Sequence, residues 1–150
     1  MKKILIGIDP GTKTGMAIKQ QGCVMILKTF TFWEAIDTIK SFPPETLKVF
    51  IEDPSQNKPI FARFKIPPVF HKIGDRINYI GKIAQNIGEN KGQAKLLIEY
   101  MKKNNIEHYA MRPNKRSMTK IDKKTFEKLT GYTKRSSEHS RDAAFLIIGR

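Results

Sequence analysis

The sequence predicts an α/β fold in which a mixed five-stranded sheet is flanked by helices. Three observations predict it: apolar runs of strand length stopped by turn residues, longer segments with apolar residues at helical spacing, and the order of the two kinds of segment. That order is three strands, a helix, a strand, a long helical segment, a strand and further helices, which suits helices packed on one mixed sheet. At 150 residues, the chain has the length of one domain, so residues 1–150 are read as a single unit with room for one site.

Residues 3–9, KILIGID, form an apolar run ended by Pro10-Gly11, a buried strand followed by a turn. Strands over 14–19 and 22–30 flank a turn at Gln20-Gln21-Gly22, so the opening reads as an antiparallel meander. A helix over 33–42 places Trp33, Ile36 and Ile39 on one face and is closed by Pro43-Pro44. A fourth strand over 47–52 stops at Asp53-Pro54.

Residues 54–74 differ in kind. Four prolines interrupt any regular element, while Phe61, Phe64 and Phe70 sit among Lys58, Arg63, Lys65 and Lys72. A loop of this length in a compact domain is commonly functional. Its phenylalanines either pack the loop onto the core or stack on exposed bases. Residues 75–103 are helical, with one stripe of Ile77, Ile80, Ile83 and Ile87 and another of Ala94, Leu97, Ile98 and Met101. Gly88 and Gly92 are expected to bend or split that helix. The face over 94–101 is free to serve either the sheet or a twin subunit. A strand over 106–111, a short helix over 125–129 before Gly131 and a terminal helix over 138–148 complete the chain.

Charge narrows the function. Lys and Arg number 28 against 14 Asp and Glu, a formal net charge of +14, and so large an excess suits a polyanionic partner, nucleic acid first. Basic residues crowd the window from Arg112 to Arg135 with only Asp122 and Glu127 against them, either a phosphate-binding surface or a solvated charged face. Cys23 is the sole cysteine, which excludes a disulfide framework and a cysteine-based zinc site. The first apolar run is too short for a signal sequence and no stretch is long enough to span a membrane. The expected location is a soluble, cytoplasmic one.

Against this basic background, three acids stand at element ends or inward faces: Asp9 and Glu52 close apolar strands, and Asp142 lies on the amphipathic terminal helix. Burying such acids is costly unless they are paired or bind a cation, and hard oxygen donors favour Mg2+, with Mn2+ as the alternative. Glu52 is preferred to Asp53 because neighbouring strand residues face opposite ways, and Asp53 is free to cap the turn at Pro54. His139 and Glu138 share the helix face of Asp142. His139 is then a ligand, a proton carrier, or an exposed histidine at a helix start.

Taken with their order, IGIDPGTKTGMAI at 6–18, VFIEDP at 49–54, IGENKGQAKLLIEY at 87–100 and SSEHSRDAAFLII at 136–148 resemble the RuvC-type Holliday junction resolvases. The resemblance spans nearly the whole chain. It implies a ribonuclease H-like fold, a homodimer, and symmetric nicking of four-way DNA junctions by a metal-dependent endonuclease of recombination and repair. The implied catalytic and metal residues are Asp9, Glu52, His139 and Asp142; many members carry aspartate where this chain has His139, and some carry histidine. The resemblance also places basic residues before the short helix, making Lys120, Lys123 and Lys124 DNA-binding candidates, beside Phe61, Arg63 and Phe64 of the loop. Two ions roughly 3.5–4 Å apart would activate water and stabilise the leaving oxygen.

Three other readings remain. Gly11, Thr12 and Thr14 also suit the phosphate loop of an actin-like ATP-binding protein, although that architecture needs two such domains. A non-catalytic nucleic-acid-binding module would leave the acids structural, and a nuclease of forks or flaps would share the same site.

Overall fold

The computed structural model describes residues 3–20, 25–57, 66–69, 71–113 and 122–150. Five strands, β1 (Ile4–Asp9), β2 (Thr14–Gln20), β3 (Ile26–Phe30), β4 (Leu47–Glu52) and β5 (Glu107–Met111), form one sheet in the order β3-β2-β1-β4-β5. The meander β1-β2-β3 is antiparallel, whereas β4 and β5 run parallel to β1. The sheet is therefore mixed, and its central strand β1 ends beside its parallel neighbour β4.

Alternation along the strands divides the core into two layers. Ile6, Ile8, Met16, Ile18, Val49 and Ile51 face one way and pack with α1 (Phe32–Lys40) and the second half of α2 (Ile73–Lys103), through Ala35, Ile36, Ile39, Leu97 and Met101. On the opposite face, Ala17, Leu27 and Phe50 pack with Phe126 of α3 (Lys123–Thr130) and with Ala143 and Ala144 of α4 (Glu138–Phe145). Asp9 and Glu52 belong to this second face, because Gly7 and Phe50, two residues earlier on each strand, meet α4 or its cluster.

Local chemistry sets the helix ends. Thr31 and Glu34 form a reciprocal capping box on α1, and Asp122 accepts from the Thr125 backbone N–H at the start of α3. Gly131 closes α3 in the left-handed conformation, with φ of 70°.

Three expectations about the helices change. Trp33 is not part of the buried face of α1: it is 70% exposed and meets Phe32 edge-on at 5.4 Å. The helix begins at Phe32, so the inward stripe runs through Phe32, Ile36 and Ile39 and leaves Trp33 beside it. Second, α2 is one unbroken 31-residue helix through Gly88 and Gly92, about 46 Å long; two glycines weaken a helix by about 1 kcal/mol each without ending it. Third, α4 stops at Phe145, and residues 146–149 form a turn that still buries Ile147. Among the described residues no helix is long and apolar enough to cross a membrane.

Candidate metal centre

The site is assembled by the approach of α4 to the sheet. Gly15 lies opposite Asp9 in the β1–β2 register, and a Cβ there would collide with the His139 carbonyl. A Cβ at Gly7 would collide with the Ala143 carbonyl one helical turn on. The two glycines let the backbone of α4 rest directly on β1 and β2, which carries His139 and Asp142 to the end of the strands. Ser137 caps the helix by accepting from the Ser140 N–H and is tied to Thr29 of β3 by a 2.6 Å hydroxyl contact.

Asp9 is the last residue of β1, and its side chain is 14% exposed. Its Oδ2 lies 2.9 Å from His139 Nδ1. Glu52 ends β4, whose parallel register with β1 aligns Ile51 with Ile8 and so brings the strand ends together. Asp53 turns away, as the alternation of the strand requires: its carboxylate accepts from the Ser55 N–H at 3.0 Å and caps the short turn over Pro54–Gln56.

The charges of Asp9 and Asp142 reach across the site. Burial first, then the charges of Asp9 and Asp142, pushes Glu52 up to about 7. Asp142 is also pushed up to about 7, by burial and then by Asp9 and Glu138, with His139 and Arg141 opposing. The Asp9 hydrogen bond raises His139, assisted by the charges of Asp9, Asp142 and Glu138 and opposed by burial. Glu138 thus belongs to the electrostatics of the site.

These shifts predict a pH dependence. Glu52 and Asp142 have ordinary values of 4.5 and 3.8, so between those values and about 7 the folded protein holds protons that the unfolded chain has released. Stability then falls with rising pH. His139 acts in the same direction, since its contribution is complete below its ordinary value of 6.5 and is lost as pH climbs through the raised one. Glu107, held down at about 2 by Lys3 first and then Tyr109, acts only at lower pH. Thermal melts of metal-free protein are expected to show Tm decreasing across the window from about pH 5 to about pH 8, and Glu52→Gln is expected to flatten the decrease. A Tm that climbs over this window would contradict the assignment.

Among the described residues no three His, Cys, Asp or Glu side chains form a ready-made cage for one ion. The donor chemistry nevertheless fits a hard divalent cation: three carboxylates and an imidazole come from β1, β4 and α4, and two of the carboxyls resist ionisation where they stand. A dication would offset the repulsion that raises them.

The other predicted residues divide. Lys123 and Lys124 open α3 and are exposed; Lys123 pairs with Glu127 at 3.6 Å. Phe61, Arg63, Phe64 and Lys120 lie outside the described residues. Thr14, a candidate phosphate contact, is fully buried and its hydroxyl donates inward to the Gly11 carbonyl. Gly7 and Gly15 were not singled out by the sequence; the signal available was a pair of glycines on inward-facing positions of adjacent strands. No protein-family model matches the chain, and no curated protein matches it either.

Proposed function

We propose that this chain is a metal-dependent endonuclease that resolves four-way DNA junctions, built on a ribonuclease H-like domain of the RuvC type. The observation that carries the reading is the convergence of acids from separate elements in a protein whose net charge is +14: beyond burial, the Asp9 charge raises both Glu52 and Asp142, and the Asp142 charge raises Glu52. A fold that placed carboxylates together only for structure would lose stability by it, whereas a dication makes the cluster useful.

Asp9, Glu52 and Asp142 would hold the cation, with His139 as the fourth member of the site. Mg2+, or Mn2+ in its place, supplies Lewis acidity to the phosphodiester and lowers the pKa of water. His139 orients the Asp9 carboxylate through Nδ1 and would exchange a proton with the attacking water. Water adds to phosphorus and one P–O ester bond breaks, so no covalent intermediate with the protein is needed. Lys123 and Lys124 provide attraction for the backbone, with Lys120, Phe61, Arg63 and Phe64 as further contacts.

Resolution of a four-way junction calls for two sites, and α2 supports a homodimer. Of the two uses open to the face over 94–101, the sheet takes it, because Ala94, Leu97 and Met101 are buried within the core. The exposed apolar face among the described residues lies earlier. Ile73, Ile77 and Ile80 are 75%, 62% and 38% exposed, and with Ala84 and Ile87 they follow the alternating four-and-three spacing of a helix–helix seam. Gly74, Gly81 and Gly88 recur beside it every seven residues, and among the described residues nothing lies within 4 Å of a Cβ at any of them. Close approach of a second α2 explains glycines that otherwise only weaken the helix. Ile77→Glu with Ile80→Glu is expected to turn a dimer into a monomer in analytical ultracentrifugation while leaving the fold intact; a wild type that sediments as a monomer at micromolar concentration would refute the seam.

The deciding assay offers a labelled four-way junction, a matched duplex and a fork, each with and without Mg2+. Paired nicks confined to the junction support the reading. Equal cutting of the fork widens it to branched DNA, and salt-sensitive binding without cleavage makes the chain a binding module.

A further inference from the structure

The turn that follows Asp9 is met from α2 by two amide side chains that the proposed chemistry does not use. Pro10 and Gly11 are buried, and Thr14, at the start of β2, is fully buried. Thr14 Oγ1 lies 3.3 Å from the Gly11 carbonyl and 3.4 Å from the side-chain oxygen of Gln93, both at the long end for hydroxyl bonds. One hydroxyl proton cannot serve two acceptors. Turning the Gln93 amide over removes the conflict: its NH2 donates to the Thr14 oxygen and the hydroxyl donates to Gly11. One helical turn earlier, Asn90 lies against the same turn, where a Cβ at Gly11 would come within 3.3 Å of its Oδ1. Positions 90 and 93 share a face of α2.

We propose that Gln93 and Asn90, acting through the Thr14 hydroxyl and the backbone at Gly11, are positioning residues that fix the Asp9 carboxylate. The claim rests on the metal-site reading for its consequence. The clamp holds residues 11 and 14, Thr14 adjoins Gly15, and Gly15 is the register partner of Asp9. The turn therefore cannot slide along α2 without moving the end of β1. Apolar side chains at 90 and 93 would fill the space equally well, but they would leave the turn free to settle by tenths of an ångström, and ligand geometry tolerates only about 0.5 Å. The same long helix that offers a seam to a second copy thus also sets the position of Asp9.

The test compares Thr14→Val, Gln93→Leu and Asn90→Ala with wild type, Thr14→Ser and Asp9→Asn, each first shown to melt cooperatively. Mn2+ binding by calorimetry is the first readout. The second is the 15N shift of His139 Nδ1 without metal, which reports the bond to Asp9. Thr14→Val and Gln93→Leu are expected to weaken Mn2+ binding roughly tenfold, the lower end for outer ligand partners, and to move the His139 signal towards that of Asp9→Asn. Asn90→Ala, the mildest change and the one retained if the others fail to fold, shifts both in the same direction, and Thr14→Ser keeps both at the wild-type values. Unchanged affinity and an unchanged His139 signal in folded variants would overturn the proposal. If wild type binds no Mn2+, the metal reading fails, and the positioning claim stands or falls on the His139 shift alone.

Discussion

Asp9→Asn is expected to reduce Mg2+-dependent nicking of a four-way junction by roughly a thousandfold or more, because it removes one of the charges on which the cation would depend. Asparagine keeps the shape, and its side-chain oxygen still accepts from His139, so the strand end and α4 should stay in place. Binding to the junction without metal is expected to be unchanged or tighter, since a negative charge has left a surface that phosphate approaches. The same variant carries a second expectation of opposite sign. The Asp9 charge helps to raise Glu52 and Asp142, so its removal lets both ionise more readily, and the metal-free variant should melt above wild type at pH values over about 7. Lost cleavage with gained stability is the signature of an acid kept for function. Cleavage within tenfold of wild type would remove Asp9 from the site.

Gly7→Ala and Gly15→Ala are expected to be the most damaging substitutions to the fold for their size, at roughly 3 kcal/mol or more. Each added methyl would meet a carbonyl oxygen of α4, that of Ala143 or His139. A helix backbone cannot swing aside as the tip of a long side chain can, so α4 must lift from β1 and β2. Gly15→Ala should also abolish cleavage in whatever fraction folds, because the displaced carbonyl belongs to His139 itself. Denaturant titration with a nicking assay measures both effects. Gly92→Ala, not among the glycines of the proposed seam, is the contrast, for among the described residues nothing lies within 4 Å of its added Cβ, so the helix gains up to about 1 kcal/mol. If all three changes proved equally mild, the close seating of α4 would be wrong.

Much of the architecture was legible in the residues. Strand alternation and turn residues located the five strands and their antiparallel opening, since both signals are local. Glu52 was separable from Asp53 for the same reason: opposite orientation on a strand left Asp53 to cap the turn, where its carboxylate accepts from Ser55. Burial was not legible where it depends on distant partners. Ile77 and Ile80 carry the same periodic pattern as Leu97 and Met101, yet the first pair is exposed and the second is core, because the sheet is shorter than the helix. Trp33 has the right spacing for the inward face of α1 and still falls outside it.

The sequence by itself determined the class of fold, the element order, and which acids stand at strand ends, all consequences of periodicity, turn chemistry and charge counted along the chain. Only the tertiary structure decided that Asp9, His139, Glu52 and Asp142 share one electrostatic environment. It also decided that Gly7 and Gly15 are the seats of α4 and that Gln93 reaches Thr14. The physical reason is that the shifts at Glu52 and Asp142 come from burial and from charges brought within range by folding. Distance through space between residues more than a hundred positions apart is not written in any local pattern.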